Sequence, residues 1–307
     1  MDNAALVFSG QGAQFVGMGK DLADAYPRCG DLFRQADEVL GYRLSELCFE
    51  GPEEELTRSD RCQPAIFVVS VACHAALLCE GAAEDFSGCA GLSLGEWSAL
   101  HAAGALGFEQ TLRVLAARGR YMQEACDEQD GAMVSVIGIP EEGLREICSA
   151  AGVWMANLNS AEQTVLSGPR KGIEEAEKMA RDRGAKRTVI LKVAGAFHSP
   201  LMASAGKRLA AFLEDVEFGR PRIPVVSNVT GLPHAGPDEI RQAMVGQVTS
   251  PVRWLDSVKW FMGNGVRTYV ECGPGKVLSG LIRRIDREAV LHNIQDVSTL
   301  KSAVAAL

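Results

Sequence analysis

Gly91-Leu92-Ser93-Leu94-Gly95 closes a brief apolar run at 88–92 and leads into 96–105, a segment of helical composition. The pentapeptide fits GxSxG, in which small residues let a strand turn sharply into a helix and present the serine at the apex. Strand, sharp turn and helix are the repeating step of an α/β sheet, and the flanking chain continues it. Residues 4–9 form an apolar run closed by Gly10-Gln11-Gly12, which reads as a buried strand ending in a tight turn. Pro64 opens an apolar helical stretch that runs to Cys79, with proline tolerated at the first helical position. Helical patterns at 199–213, 237–247 and 251–264 alternate with strands at 225–228 and 267–271; the last strand enters Gly273-Pro274-Gly275 and a further helix to residue 285. This alternation predicts a mainly parallel sheet with helices on both faces.

Between 131 and 193 the pattern changes. Strands are expected at 132–137, 153–158, 163–167 and 187–193, with helices at 141–150 and 171–183, the first announced by Pro140 and the second ended by Gly184. That order, βαββαβ, is the split unit of ferredoxin-like folds. We expect a small ferredoxin-like subdomain at 131–197 inserted into a larger α/β unit made of 1–130 and 198–307.

A chain of 307 residues, 47% hydrophobic and 23% charged, is that of an ordinary globular protein large enough for a sizeable core. Its formal net charge of -8 argues against a general nucleic-acid binder, which needs clustered cations to displace counterions from phosphate. Nine cysteines without a CxxC spacing read as buried thiols in a reducing compartment. Asp2 stands where a secretory signal would place positive charge, and no run approaches the ~18 apolar residues that span a bilayer. The cytoplasm is the expected compartment, with no membrane contact.

A serine nucleophile needs a base, and the histidines are His74, His101, His198, His234 and His292. His74 lies inside an apolar helix, His101 follows the serine's own helix, His234 sits in a Gly- and Pro-rich loop and His292 beside a short apolar run. His198, in Gly195-Ala196-Phe197-His198-Ser199-Pro200, stands where the insert returns to the main sheet, and such junctions form crevices. On the helix at 109–126, Thr111, Leu115, Arg118 and Met122 share one apolar face, whereas Arg120 lies on another with Arg113 and Glu124. An inward guanidinium requires an anion, which is either a buried Asp or Glu or a ligand. GxSxG alone also arises in ordinary Gly- and Ser-containing turns.

Taken together the residues resemble the malonyl-CoA:acyl carrier protein transacylases of fatty acid synthesis, related to polyketide synthase acyltransferase domains. The resemblance spans essentially the whole chain. It rests on Phe8-Ser9-Gly10-Gln11-Gly12-Ala13-Gln14, Gln63-Pro64-Ala65, Gly91-Leu92-Ser93-Leu94-Gly95-Glu96 and Arg118-Gly119-Arg120-Tyr121-Met122-Gln123. Phe197-His198-Ser199, Ser227-Asn228-Val229-Thr230, 247–251 and Gly273-Pro274-Gly275 continue it in family order. It implies that Ser93 is the nucleophile and His198 its base, with an oxyanion hole from the backbone N–H groups of Gln11 and Leu94. It further implies that Arg118 clamps the malonyl carboxylate, with Met122 on the same face, and that the Gln247 carbonyl orients His198. Phe197 resembles the malonyl-selecting form, its ring leaving little room for an α-methyl group. Leu92 departs from the family, which usually has His before the nucleophile.

The implied reaction is ping-pong transfer from malonyl-CoA to the phosphopantetheine thiol of an acyl carrier protein, with a coenzyme A thioester as substrate and no bound cofactor or metal. The protein is expected to act as a monomer. An acidic carrier would meet basic residues such as Arg181, Arg183, Lys186 and Arg187 on the insert, or Arg283 and Arg284. The rival readings are a serine esterase or thioesterase with a hydrolase-like core and His292 as base, and a non-catalytic carrier-binding module degraded at Leu92.

Overall fold

The computed structural model describes residues 3–82 and 85–307, so Asp2 lies outside the described residues. The first part of the chain runs β1 (Ala4–Phe8), α1 (Lys20–Ala25), α2 (Pro27–Leu40), α3 (Leu44–Glu50), α4 (Glu53–Thr57), α5 (Ser59–Cys79), β2 (Gly88–Gly91), α6 (Leu94–Ala102) and α7 (Phe108–Glu128). The second runs β3 (Gly131–Ile137), α8 (Glu141–Ala151), β4 (Trp154–Ser160), β5 (Gln163–Pro169), α9 (Arg170–Asp182) and β6 (Arg187–Ile190). The third runs α10 (Ala203–Leu213), α11 (Pro237–Gly246), α12 (Trp254–Gly263), β7 (Thr268–Cys272), α13 (Val277–Ile285), β8 (Val290–Ile294) and α14 (Val297–Ala306).

The larger sheet is parallel, in the order β2-β1-β7-β8. Ala4 to Phe8 is apolar at every position because β1 lies between two strands and is covered on both faces; Leu6 and Phe8 belong to one core cluster, Ala5 and Val7 to another. Strand β8 and helix α14 are elements that the sequence pattern did not announce.

Helix α5 begins at Ser59, ahead of the expected start, and Pro64 lies inside it. The Arg58 carbonyl already accepts the N–H groups of Arg61 and Cys62, so the first turn closes before the proline is reached. By length and composition this helix could cross a membrane, contrary to the expectation that no run is long and apolar enough. Its 18-residue window of mean hydropathy 1.8 is 78% buried inside the fold, where it serves as a core helix that is apolar all round. Helix α7 packs against it so closely that a Cβ on Gly119 would stand 2.3 Å from the Ser59 carbonyl oxygen. That contact brings Arg118 beside Gln63.

The smaller sheet is antiparallel, in the order β4-β5-β3-β6. Leu144 and Ile147 of α8 and Ile173 and Ala176 of α9 cover one face, against Val134 and Leu166. From the other face Met133, Ala156 and Val165 join the core of the larger unit. The β4 edge is paired with an extended Val252, whose N–H reaches the Ala156 carbonyl and whose carbonyl accepts from Leu158, both at 2.8 Å.

Four boundaries differ from expectation. Residues 225–228 form only isolated bridges, Val225 to Cys89 and Val226 to Pro233, because Asn228 turns away to bond the serine's helix. Strand β6 ends at Ile190; the Leu191 N–H makes a last bond to the Met133 carbonyl of β3 at 2.9 Å before the chain runs on to His198. The helix expected from 251 starts at Trp254, since Val252 is extended against β4. The one expected from 199 opens with a 3-10 turn, Pro200–Met202, capped by the Ser199 hydroxyl accepting from the Leu201 N–H.

Candidate active site

Ser93 sits between β2 and α6 with φ 56° and ψ -104°, a conformation unusual for a side chain with a Cβ. Both flanking glycines are needed for this turn. A Cβ on Gly91 would lie 2.0 Å from the Gly95 backbone, and one on Gly95 would lie 2.2 Å from the Phe8 carbonyl oxygen. Asn228 staples the turn: its Oδ1 accepts from the Ser93 N–H at 2.6 Å while its Nδ2 donates to the Gly91 carbonyl at 2.8 Å. Leu94 is the first residue of α6, so its N–H has no intrahelical acceptor. Gln11 follows β1, whose Phe8 is in register with Gly91 of β2, so both segments leave the sheet at the same end.

His198 also has a positive φ, 57°. Its Nε2 lies 2.9 Å from Ser93 Oγ and its Nδ1 2.9 Å from the Gln247 carbonyl oxygen. A carbonyl can only accept, so Nδ1 carries the proton and Nε2 is free to take the hydroxyl's. Burial first, and then the nearby Arg118 charge, pull the imidazole down to about 4, which keeps it an unprotonated base at neutral pH.

Arg118 is 1% exposed. Its Nη1 donates to Gln63 Oε1 at 2.5 Å, and its Nη2 to Ser93 Oγ at 3.1 Å and Gln247 Oε1 at 3.0 Å. Its Nε is buried with no partner among the described residues. None of these partners is a carboxylate, and burial lowers the guanidinium to about 10 against an opposing contribution from Glu96. A buried cation held by neutral amides beside a nucleophile has unspent charge for an anion. Met122 and Phe197 are buried in the same core. Arg120 faces outward, 4.0 Å from Glu124, as its helical position predicted.

Three of the remaining histidines stand apart from Ser93, as expected, and His234 departs from its loop reading. His74 stacks edge-on against Phe8, His101 holds the Leu106 carbonyl, and His292 lies half-buried on β8 without a bond to Ser93. His234, although it follows a loop sequence, is fixed at both ring nitrogens, with Nε2 2.8 Å from Glu96 Oε1 and Nδ1 3.0 Å from Glu239 Oε2. Glu96, fully buried, also accepts from Gln247 Nε2 at 2.6 Å and the Asn228 N–H at 3.1 Å. Gln247 Nε2 donates in addition to the Ser93 carbonyl at 3.0 Å. Gln63, Glu96, Asn228 and the Gln247 side chain thus belong to the site as well. Glu96 could have been found from its place one turn after Ser93 on the same helix; the others are joined only by tertiary structure.

Of the basic residues, Arg181, Arg183 and Lys186 pair with Glu177, Glu146 and Glu162. Arg283 and Arg284 line, with Arg287 and Gln163, a cavity of about 750 Å³ between the smaller sheet and α13. Leu92 packs over Gly10, where a Cβ would meet its carbonyl oxygen at 2.5 Å. Among the described residues no group of His, Cys, Asp and Glu is arranged to hold a metal ion.

A family profile described as an acyl transferase domain matches residues 5–303. The malonyl CoA-acyl carrier protein transacylase of Bacillus subtilis strain 168 is 39% identical over 312 residues, which cover 100% of this chain and 98% of that protein. The solved structure of the malonyl CoA-acyl carrier protein transacylase from Coxiella burnetii matches with a TM-score of 0.96 at 37% identity, over 99% of this chain and 98% of that one. A malonyl-transacylase solved in complex with its type II polyketide synthase acyl carrier protein matches with a TM-score of 0.96 at 39% identity, over 100% of both chains.

Proposed function

The chain belongs to the acyl transferase family, among the malonyl CoA-acyl carrier protein transacylases, and we propose that it carries the malonyl group between two thiols as an ester on Ser93. The donor is malonyl-CoA and the acceptor the phosphopantetheine thiol of an acyl carrier protein, in fatty acid or polyketide synthesis. The observation that carries this reading is the buried Arg118 guanidinium, 3.1 Å from Ser93 Oγ and bonded to no carboxylate among the described residues. A malonyl carboxylate bound there supplies the missing anion and sets the thioester carbonyl beside the hydroxyl.

In the first half-reaction Ser93 Oγ attacks the thioester carbon as His198 Nε2 takes its proton. The N–H groups of Leu94 and Gln11 receive the oxyanion. The C–S bond breaks, and the coenzyme A thiolate leaves with the proton from His198. In the second, the carrier thiol gives its proton to His198 and attacks the ester. The C–O bond breaks and Ser93 recovers the proton. The chemistry needs no bound cofactor. Phe197 and Met122 bound the acyl pocket.

The four-stranded unit, order β4-β5-β3-β6 with both helices on one face, supports reading 131–197 as a ferredoxin-like subdomain set into a catalytic unit of 1–130 and 198–307. With Arg181, Arg183 and Lys186 already paired, Arg283, Arg284 and Arg287 are the cations we assign to the carrier and to the coenzyme A phosphates. We place the protein in the cytoplasm as a monomer that contacts neither nucleic acid nor membrane.

A rival esterase reading would need His292 at the nucleophile, and His198 holds that place. The test is to incubate the protein with malonyl-, methylmalonyl- and acetyl-CoA and weigh it. A malonyl adduct of about 86 Da in clear excess is expected; no adduct, or acetyl in excess, overturns the assignment.

A further inference from the structure

His234 is held in a way that its Gly- and Pro-rich surroundings did not suggest. Its side chain is 0% exposed, and both ring nitrogens face carboxylates. Glu96 Oε2 already accepts two donors, from Gln247 and Asn228, and Glu239 Oε2 also accepts the Ala235 N–H at 3.0 Å. Carboxylates acting as acceptors on either side leave the ring to donate from both nitrogens, which requires two ring protons.

We propose that His234 is a positioning residue for acyl transfer, an imidazolium clamped between Glu96 and Glu239 that fixes the Gln247 amide and, through it, the nucleophile and its base. The path is short. Glu96 holds Gln247 Nε2; that amide also binds the Ser93 carbonyl, its Oε1 receives Arg118, and the same residue's main-chain carbonyl orients His198. A single side-chain carboxylate therefore braces nucleophile, base and clamp together.

The charge is as consequential as the geometry. Glu96 is fully buried and its negative charge needs an opposite one nearby. Without His234, Glu96 would lean on Arg118, whose guanidinium already feels its charge and meets it through Gln247. An imidazolium on Glu96 leaves the guanidinium's charge uncommitted for substrate. The groups facing His234 are Glu96 from α6 and Glu239 from α11. Burial opposes protonation of the ring, but the two carboxylates outweigh it and its pKa is raised above 6.5.

This inference rests on the transacylase reading, and the measurements separate the two. Nitrogen-15 NMR of the histidine rings in the unmodified protein, followed through a pH titration, reports His234 directly, whether or not transfer is observed. A midpoint above 6.5, with both nitrogens at imidazolium shifts on its acid side, is expected; a midpoint at or below 6.5 overturns the proposal. His234→Gln is expected to form the malonyl adduct more slowly, by on the order of tenfold to a hundredfold, as displaced catalytic groups cost. The loss should lie in kcat, and the parent's fall in rate as pH rises through the ring's folded value, above 6.5, should vanish. A variant with the parent's kcat and pH profile overturns the proposal while leaving the transacylase reading intact. Failure of the parent to acylate at all refutes that reading instead.

Discussion

The hydroxyl of Ser93 is shared between two partners of opposite character, the bare Nε2 of His198 at 2.9 Å and the guanidinium of Arg118 at 3.1 Å. In the transfer we propose, His198 takes the proton from an oxygen that a cation already steadies, and a malonyl carboxylate arriving at Arg118 would compete for that cation and release the hydroxyl to the ring.

Ser93→Ala is expected to abolish the malonyl adduct, because no other hydroxyl occupies the bond to His198 Nε2. Intact-mass measurement after mixing with malonyl-CoA checks it. An adduct of about 86 Da on the variant would reject Ser93 as nucleophile.

Removing the clamp tests selectivity. Arg118→Ala is expected to lower kcat/KM for malonyl-CoA by on the order of a hundredfold, the cost of leaving a carboxylate without its charged partner. Acetyl-CoA, with no carboxylate, should lose far less, so the ratio of the two rates must fall. Equal losses would mean that Arg118 only supports the fold around Gln63 and Gln247.

The pH profile follows from the lowered pKa of His198. With its imidazole at about 4 in the free enzyme, the base form persists well below pH 6.5, and the acid limb of kcat/KM is expected near 4. Arg118→Met should move the ring's NMR titration upward, since one of the two influences that depress it is gone. An unmoved midpoint would show that burial alone sets it.

Stability carries the same signature. His74 and His198 both titrate at about 4 when folded, against about 6.5 unfolded, so between those values the unfolded chain binds more protons. Stability from these two groups is complete above 6.5 and is lost as pH falls toward 4. His234, raised, acts with the opposite sign: its contribution is present below 6.5 and is lost as pH rises through its folded value. Because His74 is outside the catalytic network, His74→Leu is expected to keep activity and to gain stability relative to the parent steadily as pH drops from 6.5 to 4 in urea titrations. A constant difference across that range would contradict it.

Much of this was legible in the chain. The all-apolar 4–8 run, GxSxG and the βαββαβ pattern are local signals, and the parallel sheet and the elbow follow from them, whereas the strand order does not. Arg118 was legible because helical spacing separates it from Arg120, and His198 because it stands at a junction. Apart from the Gln247 carbonyl, which the family resemblance implied, the groups that hold these residues were not. Gln63 reaches Arg118 from another helix, Asn228 reaches Gly91 across 137 positions, and His234 reaches Glu96 across 138. Such contacts depend on packing, and nothing in local composition marks a loop histidine as enclosed by two acids. Residues 225–228 failed as a strand for the same reason, since Asn228 is recruited to the elbow and the ladder stops.

Ser93 and His198 both hold left-handed backbone angles, conformations that cost roughly 1–3 kcal/mol each for residues bearing a Cβ. The two residues to which we assign the transfer are therefore among those the folded chain would be most relieved to exchange for glycine. A search that ranked variants by thermal resistance alone would drift toward an inert scaffold, and hardening this enzyme for use means choosing replacements elsewhere.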